Sequence, residues 1–108
     1  LKRPSRVKIL GKVYTVDFVP EGTQGLEGDD CGLCDSEKLL ISVKDGQPFH
    51  NEQDTLLHEV IHAITHQMDV EKFLGKHEEK IVRTLATGLL AVIKDNPSSL
   101  LSYLKAKT

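Results

Sequence analysis

The chain of 108 residues predicts an α+β fold on three observations. Period-two alternation of apolar residues is confined to the first forty or so positions. Helical periodicity takes over from about residue 51, and no internal repeat or low-complexity tract interrupts the order. The length fits one compact domain with a modest core. The expected architecture is a small amino-terminal antiparallel sheet, a hairpin plus an edge strand, packed on two long helices. A short helix closes the chain.

The elements follow in order. In VKILGKVYTVDFV, residues 7–19, Val7 and Ile9 alternate with Lys8, and Tyr14, Val16 and Phe18 alternate with Val13, Thr15 and Asp17. Two alternating runs around Gly11 and Lys12 predict a β-hairpin. PEGTQGLEGDDCG, residues 20–32, holds four glycines and a proline and reads as loop. KLLISV, residues 38–43, is the next strand, ended by the turn signal KDGQP. Asn51 with Asp54 marks a helix start, and the helix should run to about Met68. DVEKFLGKH is a connector, with Gly75 as the break. A second helix spans about 78–95, with Ile81, Val82, Leu85, Leu89, Val92 and Ile93 on its apolar side. Pro97 disfavours helical geometry at Asn96 and stops it. SSLLSYLKAK then forms the closing helix.

Composition excludes some functions. A formal charge of −2 with few aromatic residues and no Trp offers neither a basic footprint nor a stacking platform for nucleic acid. The longest apolar run, LATGLLAVI, is too short to cross a bilayer. No basic start, apolar stretch and cleavage site opens the chain, so a cytoplasmic protein is expected. The start at Leu1 rather than Met leaves room for an upstream segment. Cys31 and Cys34 stand as CGLC, without the further Cys or His spacing of a structural zinc site. GDDCGLCDSEK reads as a turn leading into a strand, not as a redox pair opening a helix.

The chemistry sits in TLLHEVIHAITH, residues 55–66. Its centre, His58-Glu59-Val60-Ile61-His62, is an HExxH. Residues four apart on a helix stack one turn above each other, about 6 Å along the axis. Two imidazoles so placed can converge on one Zn2+ with nitrogens roughly 2 Å from it. Glu59 is offset by about 100° around the helix, so its carboxylate can reach a water on the ion and take its proton as that water attacks a carbonyl. The ordinary alternative is an amphipathic helix that happens to be rich in histidine. Against it, His58 and Glu59 fall among Leu56, Leu57, Val60, Ile61 and Ile64, where unpaired polar groups are costly and a metal would remove the cost. His66 continues the series, but a straight helix rises about 12 Å over eight residues, too far to share an ion with His58. Thr65 and Met68 occupy the positions that the longer HExxHxxGxxH pattern gives to Gly and His, which excludes that class.

A catalytic zinc needs three protein ligands and an open position. The candidates for the third are Glu78, Glu79, His77, His50 and the two cysteines. Glutamates opening a helix are also explained by favourable charge at its amino terminus. Helical phase places Glu78 within the apolar stripe and Glu79 at its edge, above Ala86 and Leu90, and so leans towards Glu78.

The strand LLISV, the helix TLLHEVIHAI and the later EEKIVRTLATGLLAVIKDNP together resemble the small ImmA/IrrE-type metallopeptidases and related phage proteins, over about residues 38–97. These are zinc peptidases of the gluzincin kind. That family has a glutamate followed by a helical E-x-x-x-N-x-x-A and a pair of leucines. Matching LATGLL to the apolar ending implies Glu79 as the third metal ligand, with Arg83 where the family has asparagine. The resemblance also implies an edge strand beside the metal, matched here by LLISV, to which an extended peptide adds by backbone hydrogen bonds. It implies a specific protein substrate, such as a phage or host transcriptional repressor, rather than general digestion.

The expected function is therefore a zinc-dependent metallopeptidase in which His58, His62 and Glu79 hold Zn2+ and Glu59 activates the water. Its partner is a peptide or protein substrate, with no nucleic acid and no membrane. Tyr103, His77 and His50 are candidates for stabilising the oxyanion. Two alternatives stand beside this. One is a deformylase-type hydrolase with Cys31 or Cys34 as third ligand. The other is a protein-binding module whose zinc is absent or structural and closed by four ligands.

Overall fold

The computed structural model describes residues 2–26 and 30–107. Residues 27–29, part of the loop expected over 20–32, lie outside the described residues. The fold is α+β: a four-stranded sheet on one side, helices on the other.

The hairpin forms as its alternation requires. Strand β1 (Arg6–Ile9) pairs antiparallel with β2 (Lys12–Val19), with Ile9 opposite Lys12. The two turn residues, Leu10 and Gly11, have φ of 51° and 87°. That left-handed pair twists the turn in the sense the strands need, and glycine takes it at no steric cost.

The sheet differs from expectation in two respects. A further strand, β3 (Gly32–Asp35), occupies a segment read as loop and turn, and the order is β1-β2-β4-β3. Strand β4 (Leu40–Lys44) runs parallel to β2 and antiparallel to β3, so the sheet is mixed and LLISV lies inside it. Four residues beginning with Gly carry no readable period, so β3 exists through its ladder to β4. LLISV turns Ile41 and Val43 into the core, and its interior place comes from pairing with β2 on one side and β3 on the other. Asp35 makes the reversal between β3 and β4, its Oδ1 accepting from the backbone N–H groups of Glu37 and Lys38, each at 3.1 Å.

The core lies between this sheet and helix α1 (Phe49–Gln67). Ile9, Tyr14, Val16, Ile41 and Val43 pack against Ala63, with Leu56 and Val60 of α1 closing over them. The helix starts before the expected Asn51. Pro48 precedes its first turn with φ −53°, and buried Glu52 in that turn accepts from Arg3 at 2.6 Å. It ends as expected near Met68. Asp69 adopts φ 58°, its N–H bonds to the His66 carbonyl, and the Val70 N–H bonds to that of Thr65 at 3.1 Å. This is the closing pattern in which a left-handed residue satisfies the last carbonyls.

The connector contains α2 (Glu71–Leu74) and a 3-10 turn (Gly75–His77), and α3 (Glu78–Asp95) then packs on α1. The side of α3 that faces inward is narrower than expected. Val82, Ala86 and Leu90 are buried, whereas Ile81, Leu85, Leu89 and Val92 are exposed. A single neighbouring helix covers one line of side chains, and the line that wins runs back, turn by turn, to Glu78 and Glu79. Helix α4 (Ser99–Lys105) closes the chain. No described helix is long and apolar enough to cross a membrane.

Candidate metal centre

Helix α1 uses two faces. Leu56, Val60 and Ala63 go to the sheet, and the flank a third of a turn away brings His58 and His62 towards the start of α3. Their rings meet edge to face with centroids 4.7 Å apart. The Nε2 atoms of the two imidazoles are 3.1 Å apart. Glu79 reaches both of them: Oε1 is 2.9 Å from His58 Nε2 and Oε2 is 3.0 Å from His62 Nε2. Among the described residues, His58, His62 and Glu79 form a group whose ligand atoms all lie within 4.8 Å of one another. This group can hold a metal ion.

Glu78 does something else. Its Oε2 sits 2.7 Å from His62 Nδ1. A carboxylate only accepts, so Nδ1–H donates to it, and in the tautomer that ligates a metal the lone pair then lies on Nε2, on the side of Glu79 and His58. Thr65 supports the arrangement, its hydroxyl donating to the His62 carbonyl at 2.9 Å and lying 3.5 Å from Glu78 Oε2. The phase argument that favoured Glu78 ranked burial correctly, since its side chain is 18% exposed against 56% for Glu79. Burial here serves the orientation of His62.

The donor set fits a metal on chemical grounds. Burial pushes the His58 imidazole below its ordinary range, against the pull of Glu79 and with help from His62 and Arg83, which keeps it in the neutral form that ligates. Two imidazole nitrogens and a carboxylate are the donor types of a catalytic zinc centre, and donors around a tetrahedral ion with bonds near 2 Å sit about 3.3 Å apart. Facing lone pairs at such spacing repel unless a cation or a proton lies among them.

Glu59 lies under strand β3 and borders the same cleft as His58 and Glu79. It is buried, and that burial, opposed by His62 and reinforced by Glu79 and Asp30, pushes its carboxyl up to about 7. The close passage of α1 beneath β3 depends on Gly32. A Cβ there would stand 2.7 Å from Thr55 Cγ2 and 2.9 Å from Glu59 Oε2. Gly32→Ala is therefore expected to destabilise the fold by about 1–3 kcal/mol, read from urea melts, because the neighbouring atoms belong to a stiff threonine and a buried carboxylate. An unchanged melt would show that β3 and α1 do not approach so closely.

A cleft of about 380 Å³ opens beside the group, lined by Asp30, Cys31 and Gly32 on one side and by His58, Glu59, Glu79 and Arg83 on the other. The strand edge beside it is β3, not the LLISV strand expected there, because β4 is paired on both sides. Neither cysteine joins the ligand group among the described residues. Cys34 packs against the core, and burial pushes its thiol up, away from the thiolate that metals require. Cys31 lines the cleft, and its carbonyl accepts from the Lys44 N–H at 2.7 Å. His66 turns to Glu71, at 2.7 Å, where the helix ends. Of the residues considered for the oxyanion, His50 lines the cleft, with Nδ1 2.9 Å from Lys94 Nζ. His77 and Tyr103 are exposed and do not line it.

Sequence reasoning missed three contributors: Thr65, Gly32, and Glu78 as the partner of His62. Thr65, three residues past His62, had a readable signal, since a threonine hydroxyl can bond the carbonyl of the preceding turn. Gly32 had none, because its reason is the helix lying over it. Comparison of the chain with protein-family models, with curated proteins and with solved structures finds no match.

Proposed function

We propose that the protein is a zinc-dependent metallopeptidase of gluzincin-like design. The observation that carries the reading is the convergence of His58 Nε2, His62 Nε2 and the Glu79 carboxylate, beside a buried carboxyl, Glu59, that borders the same cleft. Zn2+ bound by these three groups would polarise the scissile carbonyl and acidify the attacking water. Glu59 takes the proton from that water on its carboxylate and later returns it to the leaving amine nitrogen. A carboxyl positioned at the cleft can serve both transfers, accepting the proton from the water and then donating it to the amine. Glu78 holds His62 in the tautomer that presents Nε2, and Gly32 leaves room for Glu59 under β3.

The reading predicts that Zn2+-loaded protein cleaves members of a broad pool of peptides, detected by mass spectrometry. Glu59→Gln should keep the metal and cleave them about 10²–10⁴-fold more slowly, the usual contribution of a positioned general base. A Glu59→Gln protein that cleaves as fast as the parent would refute the assignment. The deformylase-type alternative has less support, because neither Cys31 nor Cys34 belongs to the group found among the described residues. Against the binding-module alternative, three ligands converge among the described residues, where a closed structural site uses four.

A further inference from the structure

Among the charged side chains that line the cleft beside His58, His62 and Glu79, acids outnumber bases. Asp30, Asp54, Glu59 and Glu79 all border it. Peptide hydrolysis through a tetrahedral intermediate places negative charge on the former carbonyl oxygen, which such walls repel. Among the described lining residues, Arg83 is the only lysine or arginine. It stands one helical turn beyond Glu79 on α3, so the two side chains share a face. Its Nη2 donates to Glu79 Oε1 at 3.4 Å, a long bond on an exposed side chain. A guanidinium carries several N–H donors in a rigid fork, so this contact leaves most of them for a ligand.

We propose that Arg83 stabilises the oxyanion of the reaction, a role that rests on the peptidase reading of this site. The water oxygen bonds to the carbonyl carbon as its proton passes to Glu59. The carbonyl π pair moves onto oxygen, where the Arg83 guanidinium donates to it. When the C–N bond breaks, that pair re-forms the carbonyl, and the proton on Glu59 passes to the amine. The other candidates are placed less well. His77 and Tyr103 do not line the cleft, and His50, whose Nδ1 accepts from Lys94 Nζ, offers a single neutral Nε2–H where Arg83 offers a charged fork.

The test measures binding, not turnover. Co2+-substituted protein is titrated with N-phosphoryl-Leu-Ala, whose tetrahedral phosphoryl oxygens mimic the oxyanion, and with imidazole, a neutral ligand for the same ion. Both are followed in the visible spectrum of cobalt. Arg83→Ala should weaken the phosphoryl probe by ~10–100-fold, as expected for one lost charge-assisted hydrogen bond. Arg83→Lys should fall between, keeping charge without the fork. Imidazole should bind all three proteins alike, and amidating the probe's carboxyl terminus should leave the effect of Arg83→Ala intact. The proposal is overturned if Arg83→Ala binds the probe within about twofold of the parent, or if imidazole weakens in parallel. It is overturned equally if the effect vanishes with the amidated probe, since Arg83 would then read a terminal carboxylate. A parent protein that takes up no Co2+ refutes the metal reading itself, a result distinct from the others.

Discussion

Adding Zn2+ to the metal-free protein is expected to raise its melting temperature, and a chelator to reverse the rise. An ion that binds only the folded chain stabilises it by about 2.7 kcal/mol at a free concentration one hundred times its Kd. For a domain of this size that corresponds to a shift on the order of 10 °C or more. The variants should rank by what each carboxylate or imidazole touches. His58→Ala, His62→Ala and Glu79→Ala each remove one of the three converging groups, and each should abolish the shift. Glu78→Ala removes only the acceptor on His62 Nδ1, so affinity should fall by roughly 10–100-fold while binding persists, as for other partners behind a metal ligand. Equal loss in Glu78→Ala and Glu79→Ala would contradict the division of labour between them. Full retention of Zn2+ in Glu79→Ala would remove it from the ligand set.

In the metal-free protein, Glu59→Gln should be more stable than the parent at pH 8, and no more stable at pH 4. The folded-state pKa of Glu59 is raised from the ordinary 4.5 to about 7. A proton is therefore held by the folded chain over a range in which the unfolded chain releases it. The stability associated with that proton is fully present below 4.5 and is lost as pH rises through 7. Above that point the folded protein carries a buried carboxylate whose cost approaches about 3 kcal/mol. Glutamine has the same shape and does not titrate, so the parent–variant difference should open across this window, read from urea midpoints at each pH. A difference that is flat with pH would mean that Glu59 is not buried as described. The expected gain from deleting this acid matches the cost that functional groups commonly impose on a fold.

The sequence by itself determined what depends on neighbours along the chain. The hairpin, α1 and α3 were legible because period-two and helical patterns of apolar residues report which face is covered. HExxH was legible because a helix fixes the relation between His58, Glu59 and His62 whatever surrounds it. Tertiary structure alone decided the rest. Strand β3 is held by its ladder to β4 and by the helix over Gly32, and neither leaves a mark in four residues of sequence. LLISV could be recognised as a strand, but its interior place follows from pairing with two partners distant in the chain. The assignment of Glu78 and Glu79 turned on how α3 rotates against α1, a choice set by the fit of Val82, Ala86 and Leu90. Periodicity measures the direction of an apolar face only to within about one residue's turn, and one residue is the difference between contacting Nδ1 of His62 and contacting Nε2.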